Sequence, residues 1–561
     1  MLFIFFNADL VQSVTNRSKG AIASIDDYSA WVTGSSASEN VVKLQRTVVA
    51  RAEEWEATSG ATFEAGKTTL IHFTRNEQRR SDEPIVVKGR EVYPKAEAKI
   101  LGVVFDQELR FKAHAGRIAK RGVQAALALK RLQGLRPSSV RQLFSATVAP
   151  AVDYAAPVWA PAMTAPLLKS LETVQRIAGR AITGAFRTVA LPILEAEAAI
   201  LPAKIRLDQQ LLRFWVNCHT LPQKHPFWKL KRAIDPANKR FVSPLQRIMM
   251  MAREIDVGHL ETIHPFVRMP WAGRPVVQIE SLEAAKLRAS SPPQSEAAIF
   301  TGSAQRNGKA GIGIACADSK GATIIAHSSI VGKSEVVDTP FAELQAMQQA
   351  VELIQGTWST AMVTEYPEAA EVKHATYSDS KTALRLLRRP RQGPRQEIIG
   401  SILRLLDQIR CNRGPPVEFR WVPAHEGIIG NEKARSLALQ AIESNQEPPS
   451  SRLLRSSAMA RCKEVTSRQW RKTFEASKVG ESIRKLDHAL AHFHTKKLYD
   501  QLNCKEAGAI AQLRTSKASL NEPLYKIKRV DAPTCGCGAE RETVRHFLLE
   551  CPRWMDLRIK L

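Results

Sequence analysis

The chain has 561 residues, of which 44% are hydrophobic and 24% charged, with 81 Lys and Arg against 55 Asp and Glu. This length excludes a single hydrophobic core and suggests roughly three or four domains. The net charge of +26 makes nucleic acid the expected partner, with a ribosome or a membrane surface as alternatives. Eight cysteines exclude a disulfide-dense framework and favour a reducing compartment.

The first ten residues, MLFIFFNADL, are apolar but reach Asn7 and Asp9 too early for the hydrophobic region of a signal peptide. No apolar run approaches the roughly 20 residues needed to span a bilayer. We therefore expect an intracellular protein, in the nucleus or the cytoplasm, without a membrane partner. Because the chain begins inside an apolar element, we also expect an N-terminal portion to be missing.

Residues 1–105 mix predicted strands and helices. KGAIASIDDYSAWVTG reads as strand, tight turn and strand, with Asp26 and Asp27 at the turn. ATFEAGKTTLIHFTR and AKILGVVFDQEL have strand-like patterns, whereas SENVVKLQRTVVARAEEWEATSG has helical spacing and a stop at Ser59-Gly60. The aspartate pair suits an ordinary turn, since Asp is a good turn residue, or a Mg²⁺ site.

The rest of the chain divides by composition. A basic helical pattern is followed by a segment rich in proline, which argues against a packed core there. Next come three strands, a helix, a strand, two helices, a strand and a helix, then a basic helical stretch and a Cys/His segment. The predicted boundaries are 106–225 for the helical region, 226–294 for the linker, 295–446 for the α/β module, 447–530 for the basic helical linker and 531–561 for the Cys/His segment.

The stretch LFIFFNADLV…GAIASIDDYSAWVTG, with Lys67 in AGKTTLIHFTR and the later ILGVVFD, resembles the reverse transcriptase of non-LTR retrotransposons, the LINE-like elements of fungal genomes. The resemblance covers half of the palm and the helical thumb. It implies that Asp26 and Asp27 bind metal, that Lys67 lies near nucleotide phosphates, and that ILGV belongs to the strand gripping the primer. The family's other metal-binding aspartate lies upstream, so we expect RNA-directed DNA polymerase activity to be lost.

Three polar residues of the α/β module have a plain structural explanation when taken singly. Glu343 lies in the first turn of a predicted helix, where a carboxylate favours the helix dipole. Asp379 ends a predicted strand and could cap the helix starting near Ser380. His425 lies in a Gly-rich loop and could simply be solvated. Each explanation is adequate for its own residue.

Together, however, the order of elements and the motif HxGxxGNE beginning at His425 resemble a retroelement ribonuclease H domain, an α/β fold with a mixed five-stranded sheet. The resemblance implies that four carboxylates hold two Mg²⁺ (or Mn²⁺) ions, which cleave the RNA strand of an RNA–DNA hybrid. Glu343 and Asp379 match the second and third carboxylates, and His425 matches a catalytic position. Gly302 stands where the first carboxylate follows Phe-Thr, and Arg435 stands where NExAD supplies the fourth.

Both departures oppose metal binding. Gly302 removes a bridging negative charge, and Arg435 replaces a negative charge with a positive one, a repulsion of roughly several kcal/mol at an effective dielectric near 20. We therefore expect impaired ribonuclease activity. Basic side chains near the Asp379 helix could still contact phosphates, unless they form only a solvated basic face. They are Arg385, Arg388, Arg389, Arg391 and Arg395.

The C-terminal stretch CGCGAERETVRHFLLEC presents Cys535, Cys537, His546 and Cys551, a donor set that suits tetrahedral Zn²⁺. The alternative is a group of unrelated thiols and a surface histidine. The stretch resembles the zinc-binding tail that follows these enzymes in retroelements, which implies a structural or nucleic-acid-gripping role.

The sequence thus predicts an α/β multidomain fragment of a retrotransposon polyprotein whose partners are RNA, DNA and RNA–DNA hybrids. Its function is that of a hybrid ribonuclease by descent, with incomplete catalytic carboxylates. The alternative is a basic nucleic-acid-binding remnant without catalysis.

Overall fold

A computed structural model of the protein describes residues 6–11, 18–234, 242–269, 271–293, 296–317, 323–358, 373–444, 446–449, 452–479, 481–488 and 493–560. The first five residues, on which the expectation of a missing N-terminal portion rests, lie outside this description. The chain forms two compact units. One combines the residues up to Leu207 with those from Gln469 onward, and the other is Asp208–Arg468. No helix in the described ranges is both long and apolar enough to cross a bilayer.

The first unit begins with short helices around a hairpin. The predicted hairpin is present, because Ser24 lies opposite Asp27 and the chain reverses at Ile25 and Asp26. The predicted helix stop is also present, at Gly60 with φ 74°. A π-helical segment, Leu44–Val49, joins two of the helices. The elements are α1 (Ala8–Val11), β1 (Lys19–Ser24), β2 (Asp27–Val32), α2 (Ala37–Lys43) and α3 (Ala50–Ser59).

Two predicted strands of this region have a different structure. Residues 61–75 contain a 3-10 turn, Ala65–Lys67, and one bridge from Leu70 to Pro94, and Leu70 is buried there whereas Phe73 is exposed. The ILGV stretch is the tip of a hairpin, because Leu101 and Gly102 both have positive φ and reverse the chain there. The strands are β3 (Ile85–Val87), β4 (Arg90–Val92), β5 (Glu97–Ile100) and β6 (Val103–Asp106).

The helical pattern predicted after residue 106 is present and encloses the main core of the first unit. Its interior is apolar, with Trp159 and Val148 fully buried. The helices are α4 (Lys112–Arg131), α5 (Pro137–Leu143), α6 (Ala149–Asp153), α7 (Ala156–Trp159), α8 (Ala165–Thr183), α9 (Leu191–Glu197) and α10 (Ala203–His219), the last of which runs on into the second unit.

The second unit is built on one six-stranded sheet. Its strands are β7 (Val276–Gln278), β8 (Glu296–Arg306), β9 (Lys309–Ala317), β10 (Thr323–Lys333), β11 (Lys373–Ser378) and β12 (Val417–Trp421), in the spatial order β10-β9-β8-β11-β12-β7. Strands β8 to β10 form an antiparallel meander, and β11, β12 and β7 run parallel to β8. The predicted mixed five-stranded sheet is present as β8 to β12, and β7 adds a sixth strand at the free edge of β12.

The structure also differs from the proline-rich linker predicted at 226–294. Pro226 and Pro244 are the first residues of helices, where proline favours the helix because its fixed φ is already helical. Val277 and Ala285 are buried in the core of the sheet unit, so the segment is part of that fold. The helices are α11 (Pro226–Arg232), α12 (Pro244–Met251) and α13 (Leu282–Ser290).

Helices cover both faces of the sheet. On one face, α14 (Thr339–Trp358), α15 (Lys381–Arg388) and α16 (Gln396–Cys411) enclose an apolar core. On the other, α17 (Ile429–Glu443) packs on β8 and β9, and α13 contributes Ala289. A Cβ at Gly313 would lie 2.1 Å from the Ala434 carbonyl oxygen, so glycine there lets α17 approach β9 closely.

The predicted basic linker at 447–530 contains packed helices. In the first unit, Trp470 and Phe474 are buried against Ile205. The fully buried Glu197 carboxylate accepts hydrogen bonds from Tyr499 and Arg514, which attaches two C-terminal helices to α9. The helices are α18 (Arg455–Glu475), α19 (Glu481–Leu486), α20 (His494–Asp500), α21 (Cys504–Arg514), α22 (Asn521–Lys526) and α23 (Met555–Ile559).

Candidate active site and metal centre

The sheet brings the predicted site residues together at the point where the pairing of its two central parallel strands, β8 and β11, ends. Thr301 on β8 lies opposite Ser378, the last residue of β11, and its hydroxyl donates to the Tyr377 carbonyl at 3.0 Å. Gly302 and Asp379 each follow one of these paired residues. Strand β11 ends there, whereas β8 continues to Arg306 in its pairing with β9, so the glycine and the carboxylate lie side by side where the two parallel strands separate.

Glu343 approaches the same edge from α14 and is only 2% exposed. The Ser378 hydroxyl donates to its carboxylate at 2.9 Å. Burial raises the pKa of Glu343 to about 7, the charge of Asp379 adds to the rise, and the hydrogen bond from Ser378 opposes it. The prediction that Glu343 lies in the first turn is wrong. The helix begins at Thr339, so Glu343 is in the second turn and owes its place to burial against the sheet.

Asp379 does not cap the following helix, so the structural alternative for this residue is not supported. Ser380 is the cap, with its side chain accepting from the Ala383 amide. Burial raises the pKa of Asp379, while the positive charge of Arg435 opposes that rise. The Trp421 indole donates to the Asp379 carbonyl at 3.2 Å and fixes the end of the strand.

His425 lies in an exposed loop and has a left-handed backbone, with φ 60°. The loop is tied to α13, since Lys286 Nζ lies 2.8 Å from a carboxylate oxygen of Glu426. From α17, Arg435 Nη1 lies 2.6 Å from His425 Nε2 and 3.3 Å from Nδ1. The structure therefore places Arg435 against the histidine rather than out in solvent.

Gly302 lies directly under α17. A Cβ at this position would lie 3.3 Å from the Arg435 amide nitrogen and 3.4 Å from the Ala434 carbonyl carbon. Positions 302 and 435, which the motif comparison marked as altered, thus belong to one place in the fold. An aspartate at 302 would need the helix to yield by a few tenths of an ångström.

These side chains do not form a metal site of the predicted kind. Two carboxylates, Glu343 and Asp379, reach the edge, but Gly302 offers no oxygen and Arg435 adds a positive charge. Within the described residues, no group of three or more Asp, Glu, His or Cys ligands gathers within 4.8 Å at this edge. The donor set therefore does not fit a pair of Mg²⁺ ions, which require several oxygen ligands each.

The basic side chains on and after α15 are of two kinds. Arg388, Arg389 and Arg391 are exposed, as is Arg385. Arg395 is different, because Asp338 holds its guanidinium with a 2.8 Å bond to Nε and a second contact to Nη2. The exposed four remain candidates for phosphate contacts, whereas Arg395 is already paired.

In the first unit, Asp26 and Asp27 are exposed at the hairpin turn. Lys67 Nζ lies 2.7 Å from Glu64, and this pairing, followed by the charge of Asp26, raises the pKa of Lys67. The structure thus brings Lys67 within electrostatic reach of the aspartate turn, although the strand predicted around it is absent.

The C-terminal Cys/His residues converge. The ligand atoms of Cys535, Cys537, His546 and Cys551 all lie within 4.8 Å of one another. The two cysteine sulfurs Cys535 Sγ and Cys551 Sγ are 3.8 Å apart, and Cys537 Sγ is 3.2 Å from His546 Nε2. A hydrogen bond from the Ala539 amide lowers the pKa of Cys537 to about 7, which favours the thiolate that binds metal. Three thiolates and one imidazole at this spacing fit tetrahedral zinc.

Sequence reasoning missed the residues that support the site. Ser378, directly before Asp379, holds Glu343, and its place at the strand end was a usable signal. Lys286 holds the His425 loop from 140 residues away and gave no sequence signal.

Comparison with known proteins agrees with this geometry. Residues 294–443 match the ribonuclease H family model. The chain has no match among curated proteins. Among solved structures it is similar to LC11-RNase H1 from compost (19% identity, 27% of this chain, 99% of that chain, TM-score 0.20), to RNase H1 of Halobacterium salinarum (15%, 26%, 98%, TM-score 0.21) and to a foamy viral protease-reverse transcriptase in complex with RNA/DNA hybrid (11%, 79%, 61%, TM-score 0.21).

The family match covers strands β8 to β12, both carboxylates and the helix that carries Arg435. It leaves β7 and α13 outside, so the sixth strand is an addition to the matched region. Residues 294–443 of this chain are therefore a ribonuclease H domain.

Proposed function

We propose that this chain is a nucleic-acid-binding protein of the reverse transcriptase and ribonuclease H class, whose ribonuclease H domain binds RNA–DNA hybrid and cleaves it poorly. The observation that carries the proposal is the composition of the carboxylate edge, the site formed by Gly302, Glu343, Asp379 and Arg435. Glu343 and Asp379 are in place, while positions 302 and 435 offer no carboxylate oxygen. An intact fold with half of its acidic groups supports hybrid binding more than hybrid hydrolysis.

The size of the defect supports this conclusion. Losing one well-placed catalytic group lowers a rate by roughly 10²–10⁴-fold. A charge of +1 in place of −1 at 435 opposes a nearby dication by about 4 kcal/mol per unit charge at 4 Å and a dielectric of 20. Binding of nucleic acid does not require the missing carboxylates, because phosphates are contacted by positive side chains, and Arg388, Arg389 and Arg391 are exposed and positive.

A cleavage assay on the purified full chain tests the proposal. Labelled RNA–DNA hybrid is incubated with Mg²⁺ or Mn²⁺ and the wild type or Gly302→Asp/Arg435→Asp. We expect the wild type to be almost silent and the double variant to gain roughly 10²-fold or more. Gly302→Ala/Arg435→Asp is the matched control, because alanine crowds α17 as aspartate does but supplies no oxygen.

Two results would contradict the proposal. Wild-type cleavage that Asp379→Asn abolishes would mean that the present residues suffice for catalysis. Failure of the full chain to bind hybrid by electrophoretic shift would remove the binding function itself.

We further propose that the chain derives from a LINE-like retrotransposon polyprotein, with a partial palm over residues up to 105 and a thumb over 106–225. The motifs around Asp26, Asp27 and Lys67 support this, as does the electrostatic reach of Asp26 to Lys67. In the same proposal, the C-terminal segment binds Zn²⁺ through its four convergent ligands. Four protein ligands leave no open position, so zinc there serves structure or nucleic-acid binding rather than catalysis.

A further inference from the structure

Arg435 occupies an unusual place for an arginine, among the acidic groups of the carboxylate edge. Its backbone amide faces Gly302 at 3.3 Å from the position of a Cβ. Its charge acts on the Asp379 carboxylate from one side, while the charge of Glu432 acts on the same carboxylate with opposite sign. The arginine therefore places a positive charge at the position where the motif has its fourth carboxylate and next to the position of the first.

The contacts of the guanidinium leave most of its donors available. Arg435 Nη1 lies 2.6 Å from His425 Nε2, and because arginine can only donate, that ring nitrogen is the acceptor. Nε and Nη2 of Arg435 make no hydrogen bond to any residue in the described ranges. A planar group with free donors in a fork matches the oxygens of a phosphate.

Neighbouring cations are engaged elsewhere. Lys381 Nζ lies 3.6 Å above the Trp421 ring, and Asp338 holds Arg395. Arg420 is bound by Glu296 at 2.6 Å and by Glu418 at 2.7 Å. Lys381, Arg395 and Arg420 are thus already in contact with other side chains, whereas Nε and Nη2 of Arg435 are not engaged within the described residues.

We propose that the Arg435 guanidinium is the fixed cation of this edge and binds a backbone phosphate of the nucleic-acid strand, so that strand binding here needs no divalent metal. The inference rests on the proposed hybrid binding. In this inference, Arg435 neutralises phosphate charge as a bound metal ion would, and it takes no part in bond cleavage.

Fluorescence anisotropy of a labelled RNA–DNA hybrid with the full chain tests this, in excess EDTA and in excess Mg²⁺. We expect the wild-type Kd to agree within about twofold between the two conditions. Arg435→Gln should weaken binding roughly tenfold in both and reduce the salt slope by about 1, since one phosphate contact is lost.

The matched control is Lys433→Gln, which removes the same charge from an exposed position on the same helix. It should change neither the Kd by more than about twofold nor the salt slope. Arg435→Lys keeps the charge and should keep most of the slope while losing part of the affinity, because an ammonium cannot form the planar pair. Circular dichroism confirms that each variant is folded, and Arg435→Lys carries the test if Arg435→Gln is not.

The possible negative results distinguish a failure of this inference from a failure of the proposed function. If Arg435→Gln binds as tightly as Lys433→Gln, or the wild type needs Mg²⁺ to bind, the inference is wrong and the proposed hybrid binding stands. If no form of the chain binds hybrid, the proposed function is wrong and this inference with it.

Discussion

Two groups of predicted metal ligands in the described part of the chain, the C-terminal Cys/His residues and the carboxylate edge, are in opposite states. In the C-terminal segment, all four ligands converge within 4.8 Å. At the carboxylate edge of the ribonuclease H domain, Glu343 and Asp379 are held in place, but Gly302 and Arg435 supply no metal ligand. The difference lies in where the ligands come from. The C-terminal ligands lie on one turn and one short helix, whereas the edge draws on β8, α14, β11 and α17.

This difference determines how far the stability of each region depends on its metal-ligand residues. The sheet and its helices are stabilised by apolar side chains such as Leu344 and Phe419, which do not depend on the residues at 302 and 435. The domain therefore keeps its fold without its full set of carboxylates. The C-terminal segment has little apolar interior, with Leu549 and Ile559 largely exposed, so bound metal would supply much of its stability.

The largest expected effect is on zinc. Cys551→Ser removes a fully buried ligand, and we expect the affinity for Zn²⁺ to fall by roughly 10²-fold or more. Residues 531–560 should become susceptible to limited proteolysis at the same time. Zinc retained after dialysis against a weak chelator, measured by atomic absorption, gives the readout.

The control for this variant is Cys504→Ser, an exposed cysteine outside the cluster. It should retain zinc as the wild type does. Equal retention by Cys551→Ser and Cys504→Ser would mean that the C-terminal ligands do not form a site, and the contrast between the two regions would disappear.

The second effect concerns the buried carboxylate of the edge. Because burial raises the pKa of Glu343 to about 7 from an ordinary 4.5, the folded chain holds a proton that the unfolded chain releases. Its contribution to stability is therefore full below pH 4.5 and is lost as the pH rises through 7. Glu343→Gln removes this dependence and should stabilise the domain at about pH 8.5 by up to about 3 kcal/mol, with little effect at about pH 4.5.

Hydrogen exchange of peptides from α14 and β11 at the two pH values measures this locally. Glu352→Gln, on an exposed part of the same helix, should show no such pH dependence. If Glu343→Gln destabilises the domain equally at both pH values, the carboxylate is held charged, and the edge is closer to a working metal site than we infer.

Much of the ribonuclease H domain could be predicted, because its motifs fix element order and strand polarity. The sixth strand could not. β7 has three residues behind Pro275, too short for any alternation, and it exists because β12 has a free edge to pair with. Pro226 and Pro244 led to the prediction of a linker in the same region. Proline disrupts a helix interior but is favoured at the first position of a helix, and both residues begin helices.

At the site, the motif predicts that Gly302, Glu343, Asp379 and Arg435 share one edge, and the structure places these four positions close together. It could not show that Arg435 contacts His425, which lies ten residues earlier in an exposed loop with a left-handed backbone. Nor could it show that Asp338, rather than solvent or phosphate, takes Arg395. In both cases the question is which side chain an arginine contacts, and the spacing of residues in the sequence does not determine that contact.

The smallest expected effect concerns what prevents metal binding at the carboxylate edge: the two missing carboxylates or the positive charge of Arg435. Titration of the zinc-loaded chain with Mn²⁺, followed by electron paramagnetic resonance, should show roughly tenfold tighter binding by Gly302→Asp/Arg435→Asp than by either single variant, since the two oxygens act on the same ion. Gly302→Ala/Arg435→Gln removes the positive charge and adds no oxygen. If that control binds Mn²⁺ as tightly as the double aspartate variant, the positive charge of Arg435 alone separates the two regions, and the missing carboxylates do not.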